Sequence, residues 1–205
     1  KIKHLLGTKE FINKYSLDLV NVASEISEVN EKQLTSIGTF KTNDMALAVA
    51  EIKPNIDFSA SSEDELILVL DDVRDPGNLG TIIRIADWYG INKIVASETT
   101  ADFYNPKVIN STMGSFTRVK IFYTNIIDYL KDNSLPVYGA FMEGENVHSL
   151  NLSRNGYLIM GNEANGISEE VEKYITNKIT IPKYGNAESL NVAVATAIIC
   201  DNFYR

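Results

Sequence analysis

From residue 65 onward, short apolar runs alternate with longer segments that carry apolar residues at helical spacing. The runs that predict buried strands are LILVL (66–70), KIVA (93–96), VKIF (119–122), VYGAFM (137–142), YLIMG (157–161) and KITIP (178–182). The segments typical of helices are TIIRIADWYG (81–90), ending on Gly90, PKVINSTMG (106–114), IIDYLKDN (126–133), SEEVEKYI (168–175), capped by Ser168, and NVAVATAIICDNFY (191–204). Apolar strands that alternate with helices indicate a parallel sheet covered on both faces. The pattern therefore predicts an α/β domain over residues 65–205.

The last predicted helix, 191–204, differs from the others because apolar residues surround it on every side. Such a helix must be buried all round. We expect one side to meet a second subunit, which predicts a homodimer through this helix. A central core helix within a single chain is the alternative.

Residues 1–54 carry a shorter α/β pattern, with helices predicted over 9–14 and 27–36 and strands over 17–22 and 46–52. Roughly fifty residues is small for an independent domain, so we interpret this part as the remainder of a domain whose beginning is absent. Pro54 and the polar stretch after it predict a linker over 55–64.

The amino-acid composition of the chain limits the classes of function that it can have. The chain has 205 residues, one cysteine, two histidines and a net charge of −8 at pH 7. No apolar run is long enough to cross a membrane, one cysteine with two distant histidines disfavours a zinc site, and the lone thiol fits a reducing cytoplasm. The acidic balance argues against a nucleic-acid partner, because phosphate binding relies on Lys and Arg. A local basic patch of Lys107, Arg118, Lys120 and Arg154 could overrule that objection.

Three loops that follow predicted strands carry unusual polar groups. In DDVRDPGNLGTIIR (71–84), Asn78 is a plausible helix N-cap, whereas Arg84 lies in an apolar helix and needs a partner. In IMGNEANGIS (159–168), a turn explains the glycines and asparagines but not Glu163, which follows an apolar strand. In IPKYGNAESLN (181–191), four polar residues are more than capping requires: Asn186, Glu188, Ser189 and Asn191. Ordinary capped turns remain the alternative for each loop taken singly.

The carboxyl ends of parallel strands meet at one edge of a sheet, where ligands gather, so we expect the three loops to form a small polar site. No histidine lies near these residues, which disfavours a Ser/His/Asp hydrolase. The chain also lacks the phosphate-binding P-loop and the dinucleotide-binding glycine pattern. From the residues alone, the chemistry of the site stays open.

Together, the three loops resemble the three sequence motifs of the SpoU-type RNA ribose 2′-O-methyltransferases, the TrmH family of the SPOUT superfamily, over residues 64–205. The matching residues are Asn78, Gly80 and Arg84 in the first motif, Gly161, Glu163 and Gly166 in the second, and Pro182, Gly185, Glu188, Ser189, Leu190 and Asn191 in the third. The segment 105–119 also resembles the family. Two residues depart from its pattern: Lys183 replaces an apolar residue, and Asn110 stands where a basic residue is common.

The resemblance implies a SPOUT-type parallel sheet with a C-terminal trefoil knot, a homodimer through the last helix, and an RNA substrate, ribosomal or transfer RNA. Residues 1–54 resemble the tail of an RNA-binding domain similar to a ribosomal protein. The cofactor implied is S-adenosylmethionine, with no metal. Its implied binding residues are Met160, Gly161, Asn162, Gly166, Ile181, Pro182, Gly185, Glu188, Ser189 and Leu190.

The implied catalytic residues are Arg84, Asn78, Glu163, Ser189 and Asn191. The family's arginine has been proposed as a base, but a charged guanidinium that grips phosphate and stabilises the forming alkoxide is physically easier. Asn78 and Ser189 would orient the ribose or the arginine, Glu163 would hold the arginine or the substrate, and Asn191 would fix its loop. A non-catalytic RNA- or ribosome-binding member and an unrelated α/β enzyme acting on a small metabolite are the alternatives.

Overall fold

The structure, a computed structural model, describes residues 1–19, 21–39, 41–58 and 65–205. The chain divides into two compact units, Lys1–Pro54 and Asn55–Arg205. Residues at the start of the predicted linker are held by the second unit, since Asn55 Nδ2 donates to the Tyr123 carbonyl (2.8 Å) and the Tyr129 hydroxyl donates to the Phe58 carbonyl (2.7 Å). The rest of the predicted linker, 59–64, lies outside the described residues.

The first unit is a three-stranded sheet with helices. Its elements are β1 (Ile2–Gly7), α1 (Lys9–Lys14), α2 (Ser16–Leu19), β2 (Ala23–Glu28), α3 (Glu31–Ile37) and β3 (Ala46–Ala50), in the sheet order β2-β1-β3. The strand predicted over 17–22 is wrong in its described residues, because the chain is helical to Leu19 and β2 begins at Ala23; Val20 lies outside the description. The predicted helix 27–36 begins only at Glu31, since Asn30 and Gln33 form a reciprocal capping box.

The second unit is built on a six-stranded sheet whose registered pairs are all parallel. Its elements are β4 (Leu66–Leu70), α4 (Pro76–Trp88), β5 (Lys93–Ala96), α5 (Pro106–Ser111), β6 (Lys120–Tyr123), α6 (Ile126–Leu130), β7 (Val137–Asn146), β8 (Gly156–Met160), α7 (Glu169–Glu172), β9 (Asn177–Thr180) and α8 (Val192–Phe203). The strand order is β6-β5-β4-β8-β7-β9. The predicted parallel α/β sheet is confirmed; the trefoil knot stays a prediction.

Alternation along β4 explains why helices cover both faces of this sheet. All five of its side chains are buried. Leu66, Leu68 and Leu70 pack in one core cluster with residues of α4 and α8, whereas Ile67 and Val69 pack in a second cluster with residues of α6 and α7. Successive strand side chains point to opposite faces, so an uninterrupted apolar run requires apolar partners on both sides.

Helix α8 lies with one face in the core and another toward solvent. Residues such as Ile199, Cys200 and Phe203 are buried, but Val194 is 49% exposed. The expectation of burial on every side is therefore not met within one chain. No helix among the described residues is long and apolar enough to span a membrane.

Candidate active site

The three loops that follow β4, β8 and β9 are joined by a continuous side-chain network. Asn78 Nδ2 donates to Glu163 Oε1 (2.9 Å), and Asn191 Nδ2 donates to Asn78 Oδ1 (2.9 Å). Each residue comes from a different one of the three predicted motifs. The predicted convergence of the loops at the carboxyl edge of the sheet is therefore observed.

Asn78 is free to join this network because it is not the helix cap that its sequence context suggested. Helix α4 begins one turn earlier, with Asp75 as the N-cap and Pro76 in the first turn. Asp75 Oδ1 accepts a hydrogen bond from the Asn78 backbone amide (2.9 Å), so the Asn78 side chain points elsewhere. An aspartate followed directly by proline is a known helix start, and this signal was available in the sequence.

Glu163 binds the start of α4. Besides Asn78, its carboxylate accepts hydrogen bonds from the backbone amides of Asp75 (3.2 Å) and Arg74 (3.4 Å). Loss of solvent raises the pKa of Glu163, but the hydrogen bonds from Asn78 and from nearby backbone amides outweigh this and hold the pKa below its usual value. These contacts explain why a carboxylate follows a buried strand here.

Asn191 has two roles at the start of α8. Its Oδ1 accepts hydrogen bonds from the backbone amides of Ala193 (3.0 Å) and Val194 (3.3 Å), which caps the helix. Its Nδ2 reaches Asn78, as described above. Ser189, two residues earlier, is exposed.

The loop after β8 closes on itself in a tight turn. Asn162 and Gly166 exchange backbone hydrogen bonds of 2.9 and 3.0 Å, and Gly166 adopts a φ of 70°. A Cβ on Gly161 would lie 2.2 Å from the Gly166 carbonyl carbon, so the turn requires glycine there. Asn162 Nδ2 also donates to the Asp72 carbonyl (2.8 Å), which ties this loop to the one after β4.

Ser168 does not cap the next helix with its side chain, contrary to the sequence-based prediction. It occupies the N-cap position of α7, but its hydroxyl donates to Asp71 Oδ2 (2.7 Å). Asp71 is buried, and its carboxylate also accepts from the Ser168 backbone amide (2.8 Å). A buried carboxylate needs such partners. The Ser168 hydroxyl therefore bonds to Asp71 and does not cap the helix.

A cavity of about 820 Å³ lies beside the network. Its lining includes Glu163 and all ten residues that the motifs assign to the cofactor: Met160, Gly161, Asn162, Gly166, Ile181, Pro182, Gly185, Glu188, Ser189 and Leu190. The volume falls in the range of roughly 300–1,000 Å³ typical of small-molecule sites. Asn78 and Asn191 do not line the cavity. Their hydrogen bonds connect them to Glu163, which does.

Arg84 is not part of this arrangement. It is exposed on α4, on the same side as Thr81 and Trp88 (84% exposed), and does not line the cavity. Among the residues that the structure describes, it has no hydrogen-bond or ion-pair partner. The argument that its charge needs a partner within an apolar helix is wrong, because this position faces solvent.

One wall of the cavity, formed by residues 140–143 of β7, was not predicted from the sequence. The pairing of β7 with β9 is irregular between Ala140 and Glu145. A Cβ on Gly144 would lie 2.7 Å from the Lys178 carbonyl oxygen. A glycine inside a strand often marks a bulge or a close backbone approach, so Gly144 was the available signal.

Two of the four cations in the predicted basic patch, Lys107 and Arg118, are paired with carboxylates, whereas the Lys120 side chain is exposed with no hydrogen-bond or ion-pair partner among the described residues. Lys107 pairs with Asp75 (3.1 Å) and Arg118 with Asp87 (2.6 Å), while the Arg154 guanidinium lies over the Tyr204 ring, 5.3 Å from its centroid. Within the described ranges, no group of three or more His, Cys, Asp or Glu side chains is placed to hold a metal ion.

The fold and the cavity define a class of protein: a parallel α/β domain with a cavity of small-molecule size at the carboxyl ends of its strands. The chain belongs to the SpoU rRNA Methylase family, which residues 65–201 match. The family resemblance carried by the three motifs is confirmed.

Similar proteins include the 23S rRNA (guanosine(2553)-2'-O)-methyltransferase RlmP of Bacillus subtilis, 39% identical over 137 residues, or 65% of this chain and 55% of that protein. The chain thus matches about half the length of this relative. A TrmH-family protein from Porphyromonas gingivalis has a similar structure, with TM-score 0.78, 35% identity, and coverage of 98% of this chain and 82% of that chain. The AdoMet-bound rRNA methyltransferase from Sinorhizobium meliloti gives TM-score 0.84, 30% identity, and coverage of 99% and 79%.

Proposed function

We propose that this protein transfers a methyl group from S-adenosylmethionine to a ribose 2′-hydroxyl of RNA. The single observation that carries the proposal is the Asn78–Glu163–Asn191 network, which joins the three family motifs beside a cavity lined by all ten expected cofactor residues. Ribosomal RNA is the preferred substrate, because the relatives from B. subtilis and S. meliloti are named as rRNA methyltransferases. Transfer RNA is the second candidate.

The cavity suits S-adenosylmethionine in charge as well as in size. Four carboxylates line it (Glu143, Glu163, Glu172 and Glu188) against two ammonium groups (Lys178 and Lys183), an excess of two negative charges. Such an excess favours a ligand with net positive charge. When bound, S-adenosylmethionine supplies an electrophilic methyl group on a positively charged sulfonium. Backbone groups of loops 161–166 and 181–190 would hold it, between apolar walls that include Met160, Ile181 and Leu190.

In this proposal Arg84 binds substrate RNA. Its guanidinium stays protonated, so it grips a phosphate beside the target ribose and stabilises negative charge that develops on the 2′-oxygen. Ser189, exposed at the cavity, orients the ribose hydroxyl. Asn78, Glu163 and Asn191 act as positioning residues, because their contacts hold the loops together.

Arg84 does not line the cavity of its own chain. We therefore propose a homodimer in which Arg84 acts at the cavity of the partner subunit. The half-exposed apolar face of α8, with Val194, would lie in the interface. We also propose that residues 1–54 are part of an RNA-binding domain, that the chain around 181–191 forms a trefoil knot, and that the protein acts in the cytoplasm, where rRNA is modified.

Substitution of Arg84 tests the proposed function directly. Arg84→Ala should lower methyl transfer to an unmodified rRNA transcript by roughly a hundredfold or more, as for loss of a transition-state donor. The S-adenosylmethionine affinity, measured by calorimetry, should stay unchanged. Arg84→Lys should be intermediate, because it keeps the charge but loses the bidentate fork.

Three outcomes would contradict the proposal in part or in whole: the first bears only on the role of Arg84, and the other two bear on RNA methyl transfer itself. Full activity of Arg84→Ala would remove the assigned role of the guanidinium. RNA binding by the intact protein without methyl transfer would favour a non-catalytic RNA-binding member of the family. The absence of salt-dependent RNA binding would favour an enzyme that acts on a small metabolite.

A further inference from the structure

Most basic side chains of the second unit already contact a carboxylate. The pairs are Arg74–Asp72, Lys93–Glu65, Lys107–Asp75, Arg118–Asp87, Lys131–Asp128, Lys178–Glu172 and Arg205–Asp201. In a chain with net charge −8, this leaves few cations to bind the phosphates of a nucleic acid. An unpaired cation that also lines the cavity therefore indicates where RNA can be held beside the methyl donor.

Lys183 is one of these cations, and it lines the cavity. It is exposed, and no described residue forms a hydrogen bond or an ion pair with it. Lys178, the other lysine of the cavity lining, is held by Glu172. Lys183 is therefore the cavity's cation that is free to bind an anionic ligand.

Tyr184 lies next to it and is 93% exposed. It also lines the cavity, and its ring and hydroxyl contact no partner among the described residues. One exposed aromatic residue is ordinary on a protein surface. A bare ring that follows an unpaired lysine in the chain, with both residues exposed and lining one cavity, is a more specific arrangement, because a ring and an ammonium suit the base and the phosphate of a nucleotide.

The loop that carries both residues runs from the end of β9 to the start of α8, and residues 183–191 are all exposed. It borders the cavity that we assign to the methyl donor, so an acceptor RNA that reaches the donor can contact this loop. Proteins recognise single-stranded RNA by stacking unpaired bases on aromatic side chains and by holding the backbone with cations.

We propose that Lys183 and Tyr184 form a nucleotide-binding subsite for single-stranded RNA at the mouth of the cavity. The Tyr184 ring stacks on a base, and the Lys183 ammonium binds an adjoining phosphate. The inference rests on the proposed function and adds to it a residue pair that selects an unpaired nucleotide. It also accounts for RNA binding by an acidic chain, since few local cations are involved.

The test compares Lys183→Met, Tyr184→Ala and Tyr184→Phe with the intact protein, using an unmodified rRNA transcript for methyl transfer and a short labelled single-stranded RNA for binding. Lys183→Met and Tyr184→Ala should each raise the KM for RNA about tenfold, in line with the loss of one phosphate or stacking contact. Tyr184→Phe keeps the ring and should behave like the intact protein. The slope of log Kd against log salt concentration should decrease in magnitude by about one in Lys183→Met, because one phosphate contact is lost. It should stay unchanged in Tyr184→Ala.

Lys173→Met is the matched control. Lys173 is exposed, has no partner among the described residues and does not line the cavity. Lys173→Met therefore changes the net charge by the same amount as Lys183→Met but leaves the subsite intact. Calorimetry with S-adenosylmethionine and gel filtration check that each variant keeps its cofactor site and its oligomeric state.

Each contrary outcome has a distinct meaning. If Lys183→Met weakens S-adenosylmethionine binding as much as RNA binding, the lysine holds the cofactor's carboxylate and the inference is wrong. If the subsite variants change the oligomeric state, the pair belongs to a subunit interface. If the intact protein methylates RNA and the variants show the same KM and RNA affinity, the proposed subsite is wrong but the proposed function is supported. If the intact protein neither methylates nor binds RNA, both fall.

Discussion

The Glu163 carboxylate shows how one residue can connect separate segments. It accepts hydrogen bonds from Asn78 and from the backbone amides of Arg74 and Asp75. The folded protein therefore favours its charged form, and the pKa of Glu163 lies below its ordinary value. A group with a lowered pKa stabilises the fold at pH values above its unfolded pKa, and this contribution is lost as the pH falls through the folded pKa.

Glu163→Gln should lower the free energy of unfolding by about 1 kcal/mol at neutral pH, a value that allows for solvent screening at this exposed site. The difference from the intact protein should shrink as the pH falls below the ordinary glutamate pKa of about 4.3, where the unfolded chain begins to bind the proton, and should be lost once the pH falls through the lower folded pKa. Urea unfolding at several pH values measures this.

The matched control is Glu98→Gln, an exposed glutamate that makes no hydrogen bond or ion pair with a described residue. It should leave the unfolding free energy nearly unchanged. A difference between Glu163→Gln and the intact protein that does not vary with pH would contradict the charge-based account.

At the scale of elements, the approach of α5 to α4 determines where the site residues lie. A Cβ on Gly80 would lie 2.5 Å from Ser111 Cβ and 2.7 Å from the Val108 carbonyl oxygen, so the two helices meet where a side chain is absent. Lys107 of α5 pairs with Asp75, the N-cap of α4. A shift of α5 would therefore disturb the helix start that presents Asn78.

Gly80→Ala should destabilise the protein by roughly 1–3 kcal/mol, because it forces two backbones apart. This sign is opposite to the ordinary effect, since alanine usually stabilises a helix interior relative to glycine by about 1 kcal/mol. Thermal unfolding measures the change, with the exposed Thr81→Ala as the control on the same helix. An increase in Tm for Gly80→Ala would show that the helices separate freely.

The same elements show which features can be read from sequence. The buried run of β4 and the alternation of strands and helices predicted the sheet, because burial on both faces leaves an uninterrupted apolar pattern. The three motifs predicted the loop residues of the cavity lining but not the wall formed by residues 140–143. The hydrogen bond between Glu163 and Asn78 could not be predicted, because the two residues are 85 positions apart in the chain and only the fold brings them together. Short, half-exposed strands such as β2 carry little apolar pattern, which explains the errors in the first unit.

For the whole molecule, the proposed homodimer raises the question of which subunit completes each site. The cavity and Arg84 are separate within one chain, since Arg84 lies on the exposed side of α4. A dimer with twofold symmetry would form two equivalent sites, each with Ser189 from one subunit and Arg84 from the other. This arrangement differs from a site built within one chain in a way that can be measured.

Co-expression of Arg84→Ala and Ser189→Ala subunits should restore methyl transfer, although each variant alone is inactive. Random pairing makes half of the dimers mixed, and each mixed dimer has one complete site, so about a quarter of the intact activity is expected. Replacing the Ser189→Ala partner by an Arg84→Ala/Ser189→Ala double variant removes the intact guanidinium and serves as the control. If the mixture stays inactive, both residues act within one chain.

The Asn78–Glu163–Asn191 network has a consequence for protein synthesis. Its members lie 85 and 113 residues apart in the chain, and the last of them begins the final helix. Domains fold progressively as the polypeptide emerges during translation, and the Asn191 amide is added only after the other two members of the network. A nascent chain stopped before residue 191 would lack the group that ties the third loop to the first two, so it should gain affinity for the proposed methyl donor only after that residue has been added.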